Sequence, residues 1–268
     1  EDVDVEQYLE DHPEWVKLSD DGMIARYYNA KLNKFLKWRT TDQVTIMNNK
    51  KYANIQRTKE EQEYFELLGK VRTTGGTLFH NVLEKLIDYH TKKAGALDPK
   101  TIRANSGLSI SQFEELHSVA RNLLLHGQKQ QNQIDPKKKV IVRTEQFTLN
   151  PTKQEGGKID VLFIFSDNSF SLYDFKFKTP STLNKGQAVK QAVGYKILKD
   201  FYADSIDQYD MQMSAHVEKL IKFYGLKEAR EIRIIPGSVV YKYDTDGMPT
   251  GTILDLQMGG PFLNRYER

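Results

Sequence analysis

The sequence has no cysteine among its 268 residues. Disulfides, thiolate nucleophiles, cysteine-based zinc sites and cysteine-ligated iron–sulphur clusters are therefore excluded together. An absence of cysteine does not define the compartment, but it is easiest to reconcile with an intracellular location. We therefore predict a protein of the cytoplasm, a nucleoid, an organelle or, for a phage-encoded chain, the host cell.

Two other features are missing. No stretch approaches the roughly 18 consecutive apolar residues of a membrane-spanning helix, and the start of the chain carries no signal-peptide pattern. The phosphate-binding pattern Gly-x-x-x-x-Gly-Lys-[Ser/Thr] does not occur either. The sequence thus predicts no membrane association and no ATP-driven motor within this chain.

The composition is that of a globular protein, with 39% hydrophobic and 28% charged residues. The length fits one large domain or two small ones. Lysine and arginine number 39 against 36 acidic residues, which gives a net charge of +3. This excess is too small to indicate a polyanionic partner, so any basic surface must come from local clustering.

Residues 1–70 carry mixed polar and turn signals. We predict that they form a partly helical N-terminal extension packed on a main domain of residues 71–268. Within the extension, residues 59–68 are suited to a short helix, with Thr58 as its N-cap and Gly69 just past its end.

Two helices are predicted at the start of the main domain. Gly75-Gly76 indicates a loop, after which apolar residues recur at helical spacing from Leu78 through Val82. A further amphipathic helix is predicted near residues 111–127, with Ser109 or Ser111 as its cap.

The pattern then changes to extended, β-branched segments. Strands are predicted at 139–149, 158–165 and 169–178, and Asp167-Asn168 is a typical hairpin turn. Three strands with such short connections form an antiparallel meander. Helices at about 185–202 and 209–224 and strands at 231–235 and 239–243 follow. This order predicts an α/β fold, with a mixed central sheet flanked by helices.

Acidic residues occupy informative positions in the meander: Glu145 lies inside the first strand, Asp160 in the second and Asp174 near the end of the third. The hairpin folds Asp160 back towards Asp174, and Lys176 shares a strand face with Asp174. Two carboxylates that meet on a half-buried sheet repel each other unless a cation lies between them, and magnesium favours such oxygen ligands. A neighbouring lysine would stabilise negative charge on phosphorus.

Each of these signals is weak when taken alone. An Asp-x-Lys pair in a strand is most often a surface ion pair worth less than about 1 kcal/mol. A lone histidine on an amphipathic helix, such as His80, is usually structural. The joint occurrence of Asp160, Asp174 and Lys176 on adjacent strands of one hairpin is much stronger evidence.

The combination resembles the core of the PD-(D/E)XK nuclease superfamily, with Gly-x-x-Asp at 157–160 and Asp-Phe-Lys at 174–176. More narrowly, it is similar to the RecB-like exonucleases, including the mitochondrial genome maintenance exonuclease group. Those proteins carry Gly-Thr-x-x-His-x-x-Leu-Glu on an upstream helix, and residues 76–84 match this motif at every defined place. The resemblance covers about residues 73–243 and implies a restriction-endonuclease-like core.

The resemblance also implies roles for individual residues. Asp160 and Asp174 would bind Mg²⁺ or Mn²⁺, as one or two ions, and Glu145 would support them. His80 would add a ligand or contact the scissile phosphate, and imidazole admits manganese as well as magnesium. Lys176 would be the catalytic lysine. Glu84 is favoured as a supporting or capping residue over a metal ligand.

Family members also have a Gln-x-x-x-Tyr helix after the sheet, and two segments compete for this role. Gln212 and His216 have the expected position, although a histidine replaces the tyrosine, and Gln191 and Tyr195 have the correct tyrosine. We favour Gln212, because a glycine ends its helix and a strand follows. Gln212 and His216 lie one helical turn apart and share a face, so by the resemblance they would hold the substrate strand or the catalytic lysine.

Basic residues cluster where a nucleic acid would lie. Residues 137–139 are three lysines, near Arg121, Lys129 and Arg143. A second run, without an acidic residue before Lys199, comprises Lys176, Lys178, Lys185, Lys190, Lys196 and Lys199. A solvated helix face is the ordinary explanation for most of them, but a phosphate backbone needs such neutralisation near a scissile bond. We predict substrate contacts from Lys178, Lys185, Gln191 and Tyr195 in addition to Gln212 and His216.

These observations favour a metal-dependent nuclease that acts on DNA, with a preference for single-stranded ends as an exonuclease. An endonuclease of a phage or mobile element is an alternative, and so is a non-catalytic nucleic-acid-binding module on the same fold. The intact set of acidic residues and lysine argues against the module. Any helicase, replication or recombination partner would be a separate chain.

Overall fold

The structure of this chain is a computed structural model, and it describes part of the sequence. The described residues are 15–20, 25–29, 34–35, 38–39, 56–150, 152, 155–178, 188–192, 195–198 and 206–255. For the ranges before residue 40 and between 188 and 198, only the backbone is described.

The described residues form an α/β structure. Its helices are α1 (Lys59–His90), α2 (Pro99–Ser106), α3 (Ile110–Ile134) and α4 (Ile206–Phe223). The strands before residue 40 are β1 (Trp15–Asp20), β2 (Ala25–Asn29), β3 (Lys34–Phe35) and β4 (Trp38–Arg39). Those of the main domain are β5 (Ile141–Asn150), β6 (Glu155–Ile164), β7 (Phe170–Lys178), β8 (Ala188–Ala192), β9 (Tyr195–Leu198), β10 (Ala229–Tyr243) and β11 (Pro249–Asp255).

The main sheet is mixed, as predicted. Strands β5, β6 and β7 form the expected antiparallel meander, and β10 joins β7 in parallel. The return to a parallel neighbour requires a crossover, and α4 lies within that connection. Strands β9 and β11 both pair with β10, and β4 pairs in parallel with the start of β6. The N-terminal region therefore contributes a strand to this sheet.

Helices cover both faces of the sheet. One hydrophobic cluster joins α1 and α3 to the sheet through residues such as Phe79, Leu116 and Phe175. A second cluster joins α4 to the opposite face through residues such as Met213 and Leu172. We call these faces the α1 face and the α4 face. Among the described helices, none is both long and apolar enough to cross a membrane.

Helix α1 is longer than predicted. Thr58 caps it as expected and forms a reciprocal capping box with Glu61. The helix does not end at Gly69 and has no loop at Gly75-Gly76, so both predicted breaks are wrong. A Cβ atom on Gly75 would lie 2.9 Å from the Phe177 ring, which shows that this glycine permits close packing of α1 on the sheet. The predicted boundary between 1–70 and 71–268 falls inside α1 and remains a prediction.

Helix α3 is also longer than predicted, and a glycine within it again serves close packing. Ser109 caps it, as one of the two predicted alternatives, by accepting a hydrogen bond from the Gln112 amide. The predicted end at Gly127 is wrong, because α3 continues to Ile134. A Cβ atom on Gly127 would lie 2.5 Å from the buried Phe163 ring. Close contact with the sheet, and not helix termination, therefore explains this glycine.

The glycines of the two helices provide a matched stability test. Gly127→Ala is expected to lower the free energy of unfolding by about 1–2 kcal/mol, because the clash with Phe163 outweighs the better helix propensity of alanine. Gly69→Ala is expected to raise it by about 0.5–1 kcal/mol, because no atom lies within 4 Å of the added methyl group. Urea unfolding of both variants measures the two values. Equal effects would contradict the packing role of Gly127.

The predicted helix at 185–202 is the main error in secondary structure. Residues 188–192 and 195–198 form the antiparallel strands β8 and β9, and β9 adds to the edge of the sheet beside β10. Pairing with an open sheet edge thus outweighs the local helical pattern. The predicted helix at 209–224 is confirmed, and Gly225 after it has a left-handed φ of 68°. The strands predicted at 231–235 and 239–243 are one continuous strand, β10.

Candidate metal centre

Three side chains from three elements converge on the α1 face. His80 of α1, Glu145 of β5 and Asp160 of β6 each place one ligand atom so that all three atoms lie within 4.8 Å of one another. All three are at least partly buried. We call His80, Glu145 and Asp160 the three-residue group.

The backbone is irregular where this group forms. Glu145 has a left-handed φ of 48°, which costs a non-glycine residue about 1–3 kcal/mol and is typical of functional sites. Thr144 pairs with Val161 and Gln146 with Ile159, which leaves Glu145 opposite Asp160 in the register. The side-chain alternation of β6 also changes there, because Ile159 packs on the α4 face and Val161 on the α1 face.

Asp160 lies where β6 and β7 separate. The paired register of these strands ends at Val161 and Tyr173, and beyond it the Phe175 amide donates a hydrogen bond of 2.6 Å to Asp160 Oδ2. His80 Nδ1 lies 3.6 Å from the same oxygen. Burial alone raises the pKa of Asp160, but contact with His80 and the charge of Lys176 lower it below its ordinary value. Asp160 is therefore an ionised carboxylate at neutral pH.

A second polar group lies on the α4 face. Lys176 Nζ is 2.6 Å from Asp174 Oδ2 and donates a hydrogen bond of 3.3 Å to Gln212 Oε1 on α4. Asp174 and Lys176 alternate along β7 with residues that pack on the α1 face, Phe175 among them. Burial raises the pKa of Asp174 to about 6, and the charge of Asp160 contributes to the rise against the lowering effect of Lys176.

The structure therefore divides the predicted residues between the two faces. The three-residue group includes Glu145, whereas Asp174, predicted as a metal ligand beside His80 and Asp160, is outside it. The two groups adjoin through Phe175, whose amide binds Asp160 and which stands between Asp174 and Lys176 in the chain. Direct ligation by Asp174 remains a prediction.

The structure shows which of the two competing glutamine segments is helical. Gln191 and Tyr195 lie on β8 and β9, so a helical Gln-x-x-x-Tyr motif at these residues is wrong. Gln212 and His216 lie on α4 and are both buried. His216 Nδ1 is 3.4 Å from Thr148 Oγ1 of β5. Gln212 thus contacts the predicted catalytic lysine, and His216 faces the sheet one turn later.

The other predicted substrate contacts are less fully described. Lys178 ends β7, where the register pairs it with Ser238 of β10. Lys185 lies outside the described residues. The substrate roles of these lysines, and of Gln191 and Tyr195, remain predictions.

Sequence reasoning underrated the acidic face of α1. Burial and the charges of Glu145 and Asp88 raise the pKa of Glu84 to about 7. Asp88 Oδ1 in turn accepts a hydrogen bond of 2.6 Å from the Thr144 hydroxyl. The spacing of His80, Glu84 and Asp88 at four-residue intervals is the signal that places all three on one helix face.

The repulsion among these carboxylates should lower the stability of the metal-free protein. Glu84→Gln is expected to stabilise the metal-free protein by about 1–2 kcal/mol at pH 8, after allowance for solvent screening. The raised pKa means that the folded protein binds the proton more tightly than the unfolded chain, so stability is lost as the pH rises through about 7. The gain should shrink as the pH falls towards 4.5. Urea unfolding at pH 8 and pH 5 tests this, with the exposed Glu66→Gln as control.

The donor set fits a hard or borderline divalent cation. Two carboxylates and one imidazole suit Mn²⁺, and the carboxylates alone suit Mg²⁺ with water completing its shell. Burial and the charge of Asp160 raise the pKa of Glu145, although Lys158 Nζ lies 3.4 Å from its Oε2. The closeness of Glu145 to the Asp160 carboxylate therefore indicates negative charge that a cation would neutralise. Asp174 Oδ2 differs, because it is already paired with the Lys176 ammonium at 2.6 Å.

Comparison with known proteins adds no family assignment. No family model matches the chain, and neither does a curated protein or a solved structure. The geometry described above and the motif resemblance are therefore the basis for a function.

Proposed function

We propose that this chain is a divalent-metal-dependent nuclease that hydrolyses phosphodiester bonds of DNA, on a core of the restriction-endonuclease type. The observation that carries the proposal is the juxtaposition of two groups where β6 and β7 separate. The three-residue group lies on one face, and Asp174, Lys176 and Gln212 lie on the other.

Electrostatics support the placement of a cation here. Ionised Asp160 lies beside Glu145, and the pKa of Glu145 is raised by burial and by that neighbouring charge. Close, partly buried carboxylates are costly unless they are neutralised. A divalent ion held by His80, Glu145 and Asp160 would remove that repulsion and would polarise a phosphate oxygen and acidify a bound water.

Lys176 is suited to stabilise the charge that develops on the phosphate. Its ammonium is held by Asp174 at 2.6 Å and by Gln212 at 3.3 Å. These two contacts fix the direction of a flexible side chain in advance, and such preorganisation is a large source of electrostatic catalysis. We therefore assign the catalytic role to Lys176 and positioning roles to Asp174 and Gln212.

The substrate we propose is DNA with a single-stranded end, and the mode we propose is exonucleolytic. The test is incubation of end-labelled single- and double-stranded DNA with Mg²⁺, with Mn²⁺ or with a chelator. We expect degradation of linear single strands that requires the metal, and resistance of circular single strands. Cleavage of circles would instead identify the endonuclease, and binding without cleavage under every metal condition would identify the binding module. Asp160→Asn protein, purified in parallel, controls for contaminating nuclease.

A further inference from the structure

A groove of about 530 Å³ lies beside the acidic centre, between the end of α1, the middle of α3 and the start of β5. Its basic lining residues are Lys92, Arg121 and Lys139. Leu124, Val140 and Val142 provide an apolar floor. No aspartate or glutamate is among the described residues that line it.

The charge of this groove is opposite to that of the candidate metal centre. Lys92, Arg121 and Lys139 are all exposed, and two further lysines, at 137 and 138, precede Lys139 in the chain. The metal centre, by contrast, is rich in carboxylates from α1, β5, β6 and β7, of which Glu145 and Asp174 are paired with lysines. A ligand that binds at both the metal centre and the groove must therefore carry negative charge on the part that lies in the groove. There, lysine and arginine side chains would neutralise that charge in place of a metal ion.

The walls of the groove are held together by a histidine pair. His90 Nε2 and His117 Nε2 lie 2.7 Å apart, so one ring donates a hydrogen bond to the other across α1 and α3. Thr91 follows His90 as the C-cap of α1, and its hydroxyl donates a hydrogen bond to the Ile87 carbonyl. The groove thus lies between helices that contact each other directly, and its shape is largely formed before a ligand binds.

The groove is within a few nucleotides of the centre. His90, which lines the groove, follows His80 by ten residues of one helix, which corresponds to about 15 Å at 1.5 Å per residue. Val142 precedes Glu145 by three residues of one strand, or about 10 Å. A nucleic acid strand rises about 3.4 Å per nucleotide when stacked and more when extended. A strand cleaved at the three-residue group would therefore reach the groove three to five nucleotides away.

We propose that this groove binds the backbone of the substrate strand a few nucleotides from the cleavage site, with phosphates on Lys92, Arg121 and Lys139 and sugars or bases against the apolar floor. The inference rests on the proposed nuclease function and extends it. A DNA strand is the occupant we favour, because its phosphates carry regular negative charge over the distance that separates the groove from the metal centre, and the centre is the one at which we propose DNA cleavage.

The test compares two double variants that each remove two exposed charges. Lys92→Gln with Lys139→Gln alters the groove, and Lys59→Gln with Lys70→Gln alters the far half of α1. Binding of a labelled 20-nucleotide single strand is measured with chelator present, so that no cleavage is needed. We expect the groove variant to bind three- to tenfold more weakly and its salt dependence to fall by about 1.4 in slope, from two lost phosphate contacts. The control variant should bind like the wild type.

Cleavage assays separate the groove from the nuclease itself. With Mg²⁺, the groove variant should show a higher KM for the 20-nucleotide strand and unchanged cleavage of a trinucleotide, which is too short to reach the groove. Equal losses in both double variants, or no loss in either, would overturn the groove assignment even if the chain cleaves DNA. Groove-dependent binding without any cleavage would overturn the proposed nuclease and leave the groove as a DNA-binding site. If polyglutamate at equal charge concentration displaced the DNA, the groove would be a site for acidic peptides, and the proposal that it binds the DNA strand would be overturned.

Discussion

Asp160→Asn is expected to abolish metal-dependent DNA cleavage, with a loss of at least about 10³-fold. Asp160 is the ionised carboxylate of the three-residue group, and its Oδ2 also anchors the Phe175 amide between the two polar groups. Asparagine has nearly the same shape and can still accept that hydrogen bond, but it lacks the charge that a divalent cation requires. The variant should therefore fold normally and fail to bind Mn²⁺ in isothermal calorimetry.

The matched control for this substitution is Asp246→Asn, which makes the same chemical change at an exposed turn. It should retain wild-type cleavage and wild-type Mn²⁺ affinity. If Asp160→Asn protein cleaved DNA at the wild-type rate with Mg²⁺, the site assignment would be wrong. If it lost cleavage but bound Mn²⁺ normally, Asp160 would not be a ligand and the ion would have to lie elsewhere.

Lys176→Gln is expected to lower cleavage by at least about 10²-fold while Mn²⁺ affinity stays within about threefold of the wild type. The reason is geometric, because Lys176 belongs to the group on the α4 face and the three-residue group lies on the α1 face. Glutamine leaves the buried Asp174 without its ion-pair partner, which costs stability, so the melting temperature must be recorded as well. Lys222→Gln, on the exposed side of α4, is the control for charge loss.

Asp174→Ala should also abolish cleavage. Its effect on Mn²⁺ affinity decides whether Asp174 positions Lys176 or binds the metal. If Asp174 only positions Lys176, the variant loses cleavage and keeps Mn²⁺ binding. If Asp174 completes a shell with the three-residue group, Mn²⁺ binding weakens at least tenfold. Wild-type cleavage by this variant would contradict both roles.

Local patterns in the sequence were sufficient for much of the fold. Alternation and turn chemistry predicted β5, β6 and β7 with the Asp167-Asn168 turn between the last two, because strand pairing across a short hairpin depends on nearby residues. The caps at Thr58 and Ser109 were equally local. In these places the tertiary structure reinforces what the segment prefers.

The errors have a tertiary origin. A glycine in a helical pattern indicates an end if only local conformation is considered, but Gly75 and Gly127 are needed where a helix approaches the Phe177 and Phe163 rings. The strands β8 and β9 form because the edge of β10 is available to them, and nothing in residues 188–198 alone reveals that edge. The helix α2 and the strand β11 were not predicted at all.

The candidate site was predicted as a set of residues but not as an arrangement. The motif spacing selected His80, Glu145, Asp160, Asp174 and Lys176 as candidates. It could not reveal that an irregularity at Glu145 and Asp160 places these two beside His80 while Asp174 turns to the α4 face. That irregularity arises from a positive φ on a non-glycine residue, for which the sequence carries no signal.

The most direct test of a metal centre at this place is anomalous diffraction from crystals of the protein grown with Mn²⁺. We predict an anomalous peak about 2.0–2.3 Å from a His80 nitrogen and from carboxylate oxygens of Glu145 and Asp160. If crystals grown with Mn²⁺ in the mother liquor showed no anomalous peak within coordination distance of these three side chains, the proposed metal centre would be contradicted.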